Sequence, residues 1–211
     1  MAEKEKKQPE KEKKEATKKV IKKSRTVDNW KKKQWFNIIA PNEFDRKVLG
    51  ETVAEKPKNL VGRILKVALG QLTGQRQKRH ISVLFRVDRV EGNNAECITV
   101  GHDTSQGFLN RLVRRRMSKI EQVQEIETSD ARKVKVKSFA LSVRKLSKSQ
   151  EADMRKALVE LIAKSTEKKG FAQVSQEIIF GATASKIFKQ LSKIAPLRRV
   201  EIVKSKLLEG K

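Results

Sequence analysis

The chain has 211 residues, 50 of them Lys or Arg against 25 Asp or Glu, for a formal net charge of +25. Self-repulsion at that charge opposes compaction unless a polyanion neutralises it, which leaves nucleic acid, an anionic membrane surface or an acidic protein as partner classes. No apolar run approaches the ~18 residues of a membrane span, so a membrane is disfavoured and nucleic acid favoured.

The start, Met1-Ala2-Glu3-Lys4-Glu5-Lys6-Lys7, has no apolar segment behind it, so no secretory signal is expected. Cys97 is the single cysteine; it cannot form an internal disulfide and fits a reducing cytosol. Residues 1–33 hold 14 basic and 6 acidic side chains, and the remaining 178 still carry a net +17. The basic excess belongs to the body as well as to the tail.

Residues 1–26 are Lys, Glu and small polar residues that cannot bury a core, and the prediction is a disordered basic tail. Glu3/Lys7, Glu10/Lys14 and Glu15/Lys19 stand at i,i+4 spacing, so a helix could form there on a partner, interrupted at Pro9. The body begins near Val27. Trp35-Phe36-Asn37-Ile38-Ile39-Ala40, closed by Pro41-Asn42, reads as a strand buried on both faces. Segments 47–54 and 62–69 read as further strands. In 79–90, Ile81, Val83, Phe85 and Val87 alternate with Ser82, Arg86 and Asp88, predicting a strand with one buried face. Glu91-Gly92-Asn93-Asn94 supplies turn chemistry, and Cys97–Val100 returns as the second arm of a hairpin.

Residues 105–117 predict a helix with Phe108, Leu109, Leu112 and Val113 on one face. A strand follows at 118–128. In 131–144 the alternation changes phase, from Val134 and Val136 to Phe139, Leu141 and Val143, and a bulge near Ser138 would reconcile the halves. The period then becomes helical. Met154, Leu158, Leu161 and Ile162 mark a helix over 149–167, with Ser149 placed as N-cap. Shorter helices are predicted at 172–179 and 183–194, the latter stopped by Pro196, and Leu197–Val203 alternates like a strand. The fold class is therefore α+β: a β-rich, barrel-like N-terminal body with one interposed helix, then a mainly helical C-terminal part ending in a strand. The expected divisions are a tail at 1–26, a β-rich domain at 27–146 and a helical part at 147–211.

Chemistry is sparse. With only His80, His102, Cys97 and no Tyr, neither a zinc site nor a nucleophile–base pair is assembled. His80 lies in Arg76-Gln77-Lys78-Arg79-His80, where neighbouring cations favour a phosphate contact over a base. His102, beside Asp103, is expected at a strand end or on RNA. Gly70-Gln71-Leu72-Thr73-Gly74 lacks the lysine of a phosphate loop. No catalytic residue, metal site or cofactor is predicted.

What remains is a set of basic clusters: Lys31, Lys32 and Lys33 between Trp30 and Trp35; Arg76, Lys78 and Arg79; Arg111 with Arg114, Arg115 and Arg116, placed on the interposed helix; and Arg198 with Arg199. Such residues contact phosphates without reading sequence, while an exposed Trp can stack on a base. Trp35 is expected in the core; Trp30 fits core or stacking equally. Separate clusters on different elements suit a large folded RNA better than one groove for a short strand.

Lys32-Lys33-Gln34-Trp35-Phe36-Asn37-Ile38-Ile39-Ala40-Pro41, then Phe44 and Leu49-Gly50-Glu51-Thr52, resembles the opening of the small-subunit ribosomal protein family shared by archaea and eukaryotes, S3Ae in the older naming and eS1 in the newer. The resemblance continues through Leu60–Leu69, Gly101-His102-Asp103-Thr104, Arg114-Arg115-Arg116 and Pro196-Leu197-Arg198-Arg199-Val200-Glu201-Ile202, covering about 27–208. The chain ends soon after its last strand, which resembles the archaeal form. The resemblance implies a barrel-like domain with helical additions, no catalysis, and a place in the small subunit of cytoplasmic ribosomes, on the platform near the messenger exit. Implied partners are small-subunit ribosomal RNA, including the region of its 3′ end, neighbouring platform proteins, and messenger RNA at the exit. A free-standing RNA-binding translational regulator is the alternative.

Overall fold

The computed structural model describes residues 30–167 and 169–208. Expectations for residues 1–26 lie outside these. The chain divides between Lys33 and Gln34, and the two sides are described separately. On the first side, Trp30–Lys33 forms a turn closed by the Lys33 amide donating to the Trp30 carbonyl at 3.1 Å.

Beyond it, the described chain runs β1 (Gln34–Ile39), β2 (Val48–Ala54), β3 (Ile64–Ala68), α1 (Leu69–Thr73), β4 (Ile81–Glu91), β5 (Asn94–Thr104), α2 (Gln106–Leu112), β6 (Lys119–Glu127), β7 (Lys133–Ser142), α3 (Lys148–Thr166), α4 (Phe171–Phe180), α5 (Ala182–Leu191) and β8 (Leu197–Leu208), with short 3-10 turns at Asn42–Phe44, Pro57–Asn59 and Arg76–Lys78. This is the α+β order read from the sequence.

The sheet forks at β5. One branch runs β2-β1-β5-β4-β3, antiparallel except for the short parallel β1–β5 pairing. The free edges of β2 and β3 share no ladder, but the Arg63 guanidinium bonds the Thr52 hydroxyl and, at 3.4 Å, the Val53 carbonyl. That contact links the start of β3 to β2 across the open edge. Phe36, Ile38, Ala54, Val83, Phe85, Val87, Ala95 and Cys97 fill the interior, with Leu60, Leu69 and Leu72 from the connections. Phe44 meets Phe85 edge-on, ring centroids 5.3 Å apart. Burial pushes the Cys97 thiol up to about 11, so it acts as a small apolar group.

The other branch continues β5-β8-β7-β6, all antiparallel. Its inner face, with Ile120, Val134, Val136 and Ile202, packs against Met154, Leu158 and Ile162 of α3 and Ile187 and Leu191 of α5. These side chains recur at i, i+4 and i+8 and make one apolar stripe per helix. Burying each contributes about 1.5–3 kcal/mol relative to exposure. A smaller cluster of Leu109, Phe139, Leu141 and Val203 lies beneath α2. β8 is thus an interior strand of the sheet, flanked by β5 and β7.

Several sequence expectations are corrected. β1 is buried on one face only: Phe36 and Ile38 point inward, while Trp35, opposite Val53, is 61% exposed. An apolar run hid an ordinary alternation. The irregularity near Ser138 is present as a register shift between Lys137 and Ser138, where β8 carries the extra residue Val203. The extra residue lies in β8, so β7 itself alternates unbroken, and the change of phase arises because Val134, Val136 and Ala140 face the α3 side and Phe139 and Leu141 the α2 side. The N-cap of α3 is Ser147 rather than Ser149. Its hydroxyl accepts from the Gln150 amide at 3.3 Å and the Gln150 side chain answers at the Ser147 amide, a capping box. α5 ends at Leu191, leaving Ile194 exposed.

Candidate nucleic-acid interface

α2 stops at Leu112, and Val113 is already extended at φ −76°, ψ 126°. Arg114, Arg115 and Arg116 therefore stand on an exposed turn, not on the helix, with Arg116 left-handed at φ 66°. Val113 and Met117 continue the apolar spacing of Leu109, yet the chain leaves the helix at Val113, which is left exposed, and the three adjacent cations repel one another. Arg111 remains on the helix, its Nε donating to the Gly107 carbonyl at 3.3 Å.

Three clusters separated in sequence converge. Arg76, Lys78 and Arg79 occupy the turn before β4, Arg111 stands on α2, and Arg198 and Arg199 open β8. Phe108 joins them: His80 stacks on its ring with centroids 3.8 Å apart, and the Arg199 guanidinium lies 5.2 Å from the ring centre. Arg198 reaches Met117 at 3.9 Å, which ties the start of β8 to the residue just after the Arg114–Arg116 run. Burial pushes the His80 imidazole below its ordinary value, so near neutrality it is a flat uncharged ring rather than another cation.

Between this wall and the α4–α5 corner lies a groove of about 670 Å³. Ile178, Ile179, Val200 and Ile202 line it, with Phe180 and Phe188, and Lys78, Lys189, Arg198 and Arg199 line it too. Phe180 is 41% exposed, with Lys78 Nζ 5.2 Å from its ring centre. A shallower depression of about 370 Å³, lined by Arg79, His80, Phe108 and Arg111, shares His80 with the groove. The one carboxylate lining the groove, Glu201, is engaged by Arg199 at 2.7 Å. Among the described residues, no carboxylate pairs with Arg76, Lys78, Arg79, Arg111, Arg114, Arg115, Arg116, Lys189 or Arg198.

His102 takes no part in an accessible surface. It is 1% exposed, with Nδ1 2.6 Å from the Ser205 hydroxyl and Nε2 2.9 Å from the Ile202 carbonyl, and it joins β5 to β8. The expectation of an RNA contact there is overturned; its place near the end of β5 stands. Gly101 beside it is required by close approach, since a Cβ would fall on the Ser205 carbonyl. The turn of Lys31, Lys32 and Lys33 is exposed, with Lys33 Nζ 4.6 Å from the ring centre of Trp30. Lys189 and Phe180 escaped sequence reading because neither belongs to a cluster.

Residues 21–211 match the model of the Ribosomal S3Ae family. The chain belongs to that family. It is 38% identical over 182 residues to small ribosomal subunit protein eS1 of Methanococcus maripaludis, spanning 86% of this chain and 81% of the relative. It is 36% identical to the eS1 proteins of Methanobrevibacter smithii and Sulfurisphaera tokodaii, covering 87% of this chain and 95% of each relative. These relatives are archaeal, as the resemblance read from the sequence implied. S3Ae members are ribosomal proteins, so the role of this chain is structural rather than enzymatic and its place is the ribosome of the cytoplasm.

Proposed function

We propose that this S3Ae protein is a structural constituent of the small ribosomal subunit that binds small-subunit ribosomal RNA through the groove, the flanking Arg114–Arg116 turn and the Lys31–Lys33 turn. The observation that carries the reading is the pairing pattern: cations from separate segments of the body gather around an aromatic-lined groove, and all of them but Arg199 are without carboxylate partners among the described residues. Unneutralised cations at this density favour a polyanion, and each phosphate met releases counterions. By the family resemblance, the site is the platform near the messenger exit, with the 3′ region of the RNA, messenger RNA and neighbouring platform proteins as partners. In this reading residues 1–26 are a basic tail, 27–146 the barrel-like domain and 147–211 the helical part packed on it.

Sucrose-gradient sedimentation of a native lysate tests it. Stoichiometric co-migration with the small subunit, persisting at moderate salt, is the expected result. A dominant ribosome-free pool bound to other RNA would replace this reading with that of a free-standing regulator.

A further inference from the structure

We infer that the groove between β8 and the α4–α5 corner receives one unpaired nucleotide of RNA, its base against the exposed Phe180 ring and its phosphates on Lys78, Lys189 and Arg198. The inference rests on the RNA-binding reading and narrows it from a basic surface to a ligand class. A surface that meets only duplex phosphates needs cations but no depth. Here there is an open concavity of about 670 Å³, a volume within the ~300–1,000 Å³ range of small-ligand sites.

The lining is divided in the way a nucleotide is divided. The floor is apolar, made by Ile178, Ile179, Val200 and Ile202, and His102 beneath it is locked to the Ile202 carbonyl at 2.9 Å. One wall is the partly exposed Phe180 ring, backed by Phe44 at 6.4 Å between centroids, and on the rim Lys78, Lys189 and Arg198 have no carboxylate partners among the described residues. Small residues keep the space clear: Gly181, Ala184 and Ser185 stand where α5 turns towards the groove. The bases of an A-form duplex are stacked inside the helix, out of reach of such a slot, whereas an unpaired base can be splayed out, stacked on an aromatic ring and held by its phosphates. A peptide of acidic residues alone would satisfy the rim but offers no apolar or aromatic group for the floor.

The test uses the full chain and two RNA hairpins of identical stem, one with a single bulged 2-aminopurine and one with that base paired. The bulged hairpin is expected to bind about tenfold more tightly, the worth of one stacked base, with quenching of the 2-aminopurine fluorescence. Ser185→Trp fills the groove from an exposed helical position without altering charge. It should abolish the preference and the quenching while leaving the salt dependence of binding intact. Phe180→Ala, which removes exposed ring surface, should reduce both in the same direction, with an unchanged circular dichroism spectrum as the folding control. Equal affinities for the two hairpins with unchanged fluorescence would overturn the inference and leave the RNA-binding reading standing. Failure of both hairpins to bind at low salt would overturn the RNA-binding reading itself. Displacement of the bulged hairpin by oligo-glutamate in the wild type, lost in Ser185→Trp, would assign the groove to an acidic protein segment and overturn the inference.

Discussion

Along β6 and β7, on the face turned away from α3, Lys119, Lys133, Lys135 and Lys137 each lie within 3.2 Å of a carboxylate from Glu121, Glu125 or Glu127. Around the groove, Lys78, Lys189, Arg198 and the Arg114–Arg116 turn have no such partner among the described residues. Both regions are rich in cations, and a census of the sequence treats them alike. The difference lies in cross-strand register. The β6–β7 ladder sets Glu125 opposite Lys135 and Glu127 opposite Lys133, whereas Lys78 and Lys189 come from a turn and a helix end, and Arg198 from the start of β8, where the one nearby acid, Glu201, is taken by Arg199. Exposed pairs of this kind contribute only about 0–1 kcal/mol each to stability. Their larger consequence is that the paired lysines are already neutralised, while the groove residues keep their charge for a partner.

The strongest way to break this contrast is to reverse the unpaired side. Replacing Arg114, Arg115 and Arg116 together with Glu should weaken RNA binding on the order of a hundredfold near 0.1 M salt and flatten the log K against log salt slope by about 3. Because the three side chains lie on an exposed turn, the urea midpoint should barely move. An unchanged slope would remove that turn from the interface.

Next in size is a change that strikes the strand shared by both branches of the sheet. Gly101→Ala places a Cβ on the Ser205 carbonyl, where β5 and β8 meet. It should cost about 1–3 kcal/mol in urea unfolding, as overpacking does. Full stability would show that the two strands can part locally.

A smaller effect is expected from acid. Burial holds the imidazoles of His102 and His80 below the ordinary value of 6.5, so the folded protein keeps them neutral while the unfolded chain protonates. Their contribution is complete above about pH 6.5 and is lost as the pH falls from there towards their folded-state values. Glu96 and Glu121, held below 4.5 by their basic partners, act only in more acid solution. Unfolding midpoints between pH 7.5 and 5 should fall for the wild type and fall less for His102→Gln. Parallel curves would contradict this assignment.

The smallest effect should come from the paired side. Lys135→Ala with Lys137→Ala is expected to change RNA affinity less than about threefold and the salt slope by less than about 1. A loss as large as that of the arginine triple would dissolve the distinction between the two regions.

Much of the fold was legible because period and turn chemistry are local. The alternation of Ile81, Val83, Phe85 and Val87, the Gly92-Asn93 turn and the stripe of Met154, Leu158 and Ile162 each lie within one element. The capping box at Ser147 and Gln150 was equally local and could have been read from its spacing. Trp35 misled because an apolar run does not reveal that β1 has a single inner face. The end of α2 was hidden because Val113 and Met117 continue the helical spacing and the arginines between them are good helix formers, while the chain turns extended at Val113. The groove could not be foreseen from sequence. It joins Lys78, Phe180, Lys189 and Arg198 through strand pairings that span a hundred residues, as between His102 and Ser205.

Mapping crosslinks from this chain to RNA inside intact small subunits is the most direct measurement of where its free charge is used. The account predicts that, among residues 34–208, crosslinks concentrate at Lys78, Lys189, Arg198 and the Arg114–Arg116 turn, and that Lys135 and Lys137 give few. Crosslinks confined to the β6–β7 lysines, with the groove silent, would contradict it.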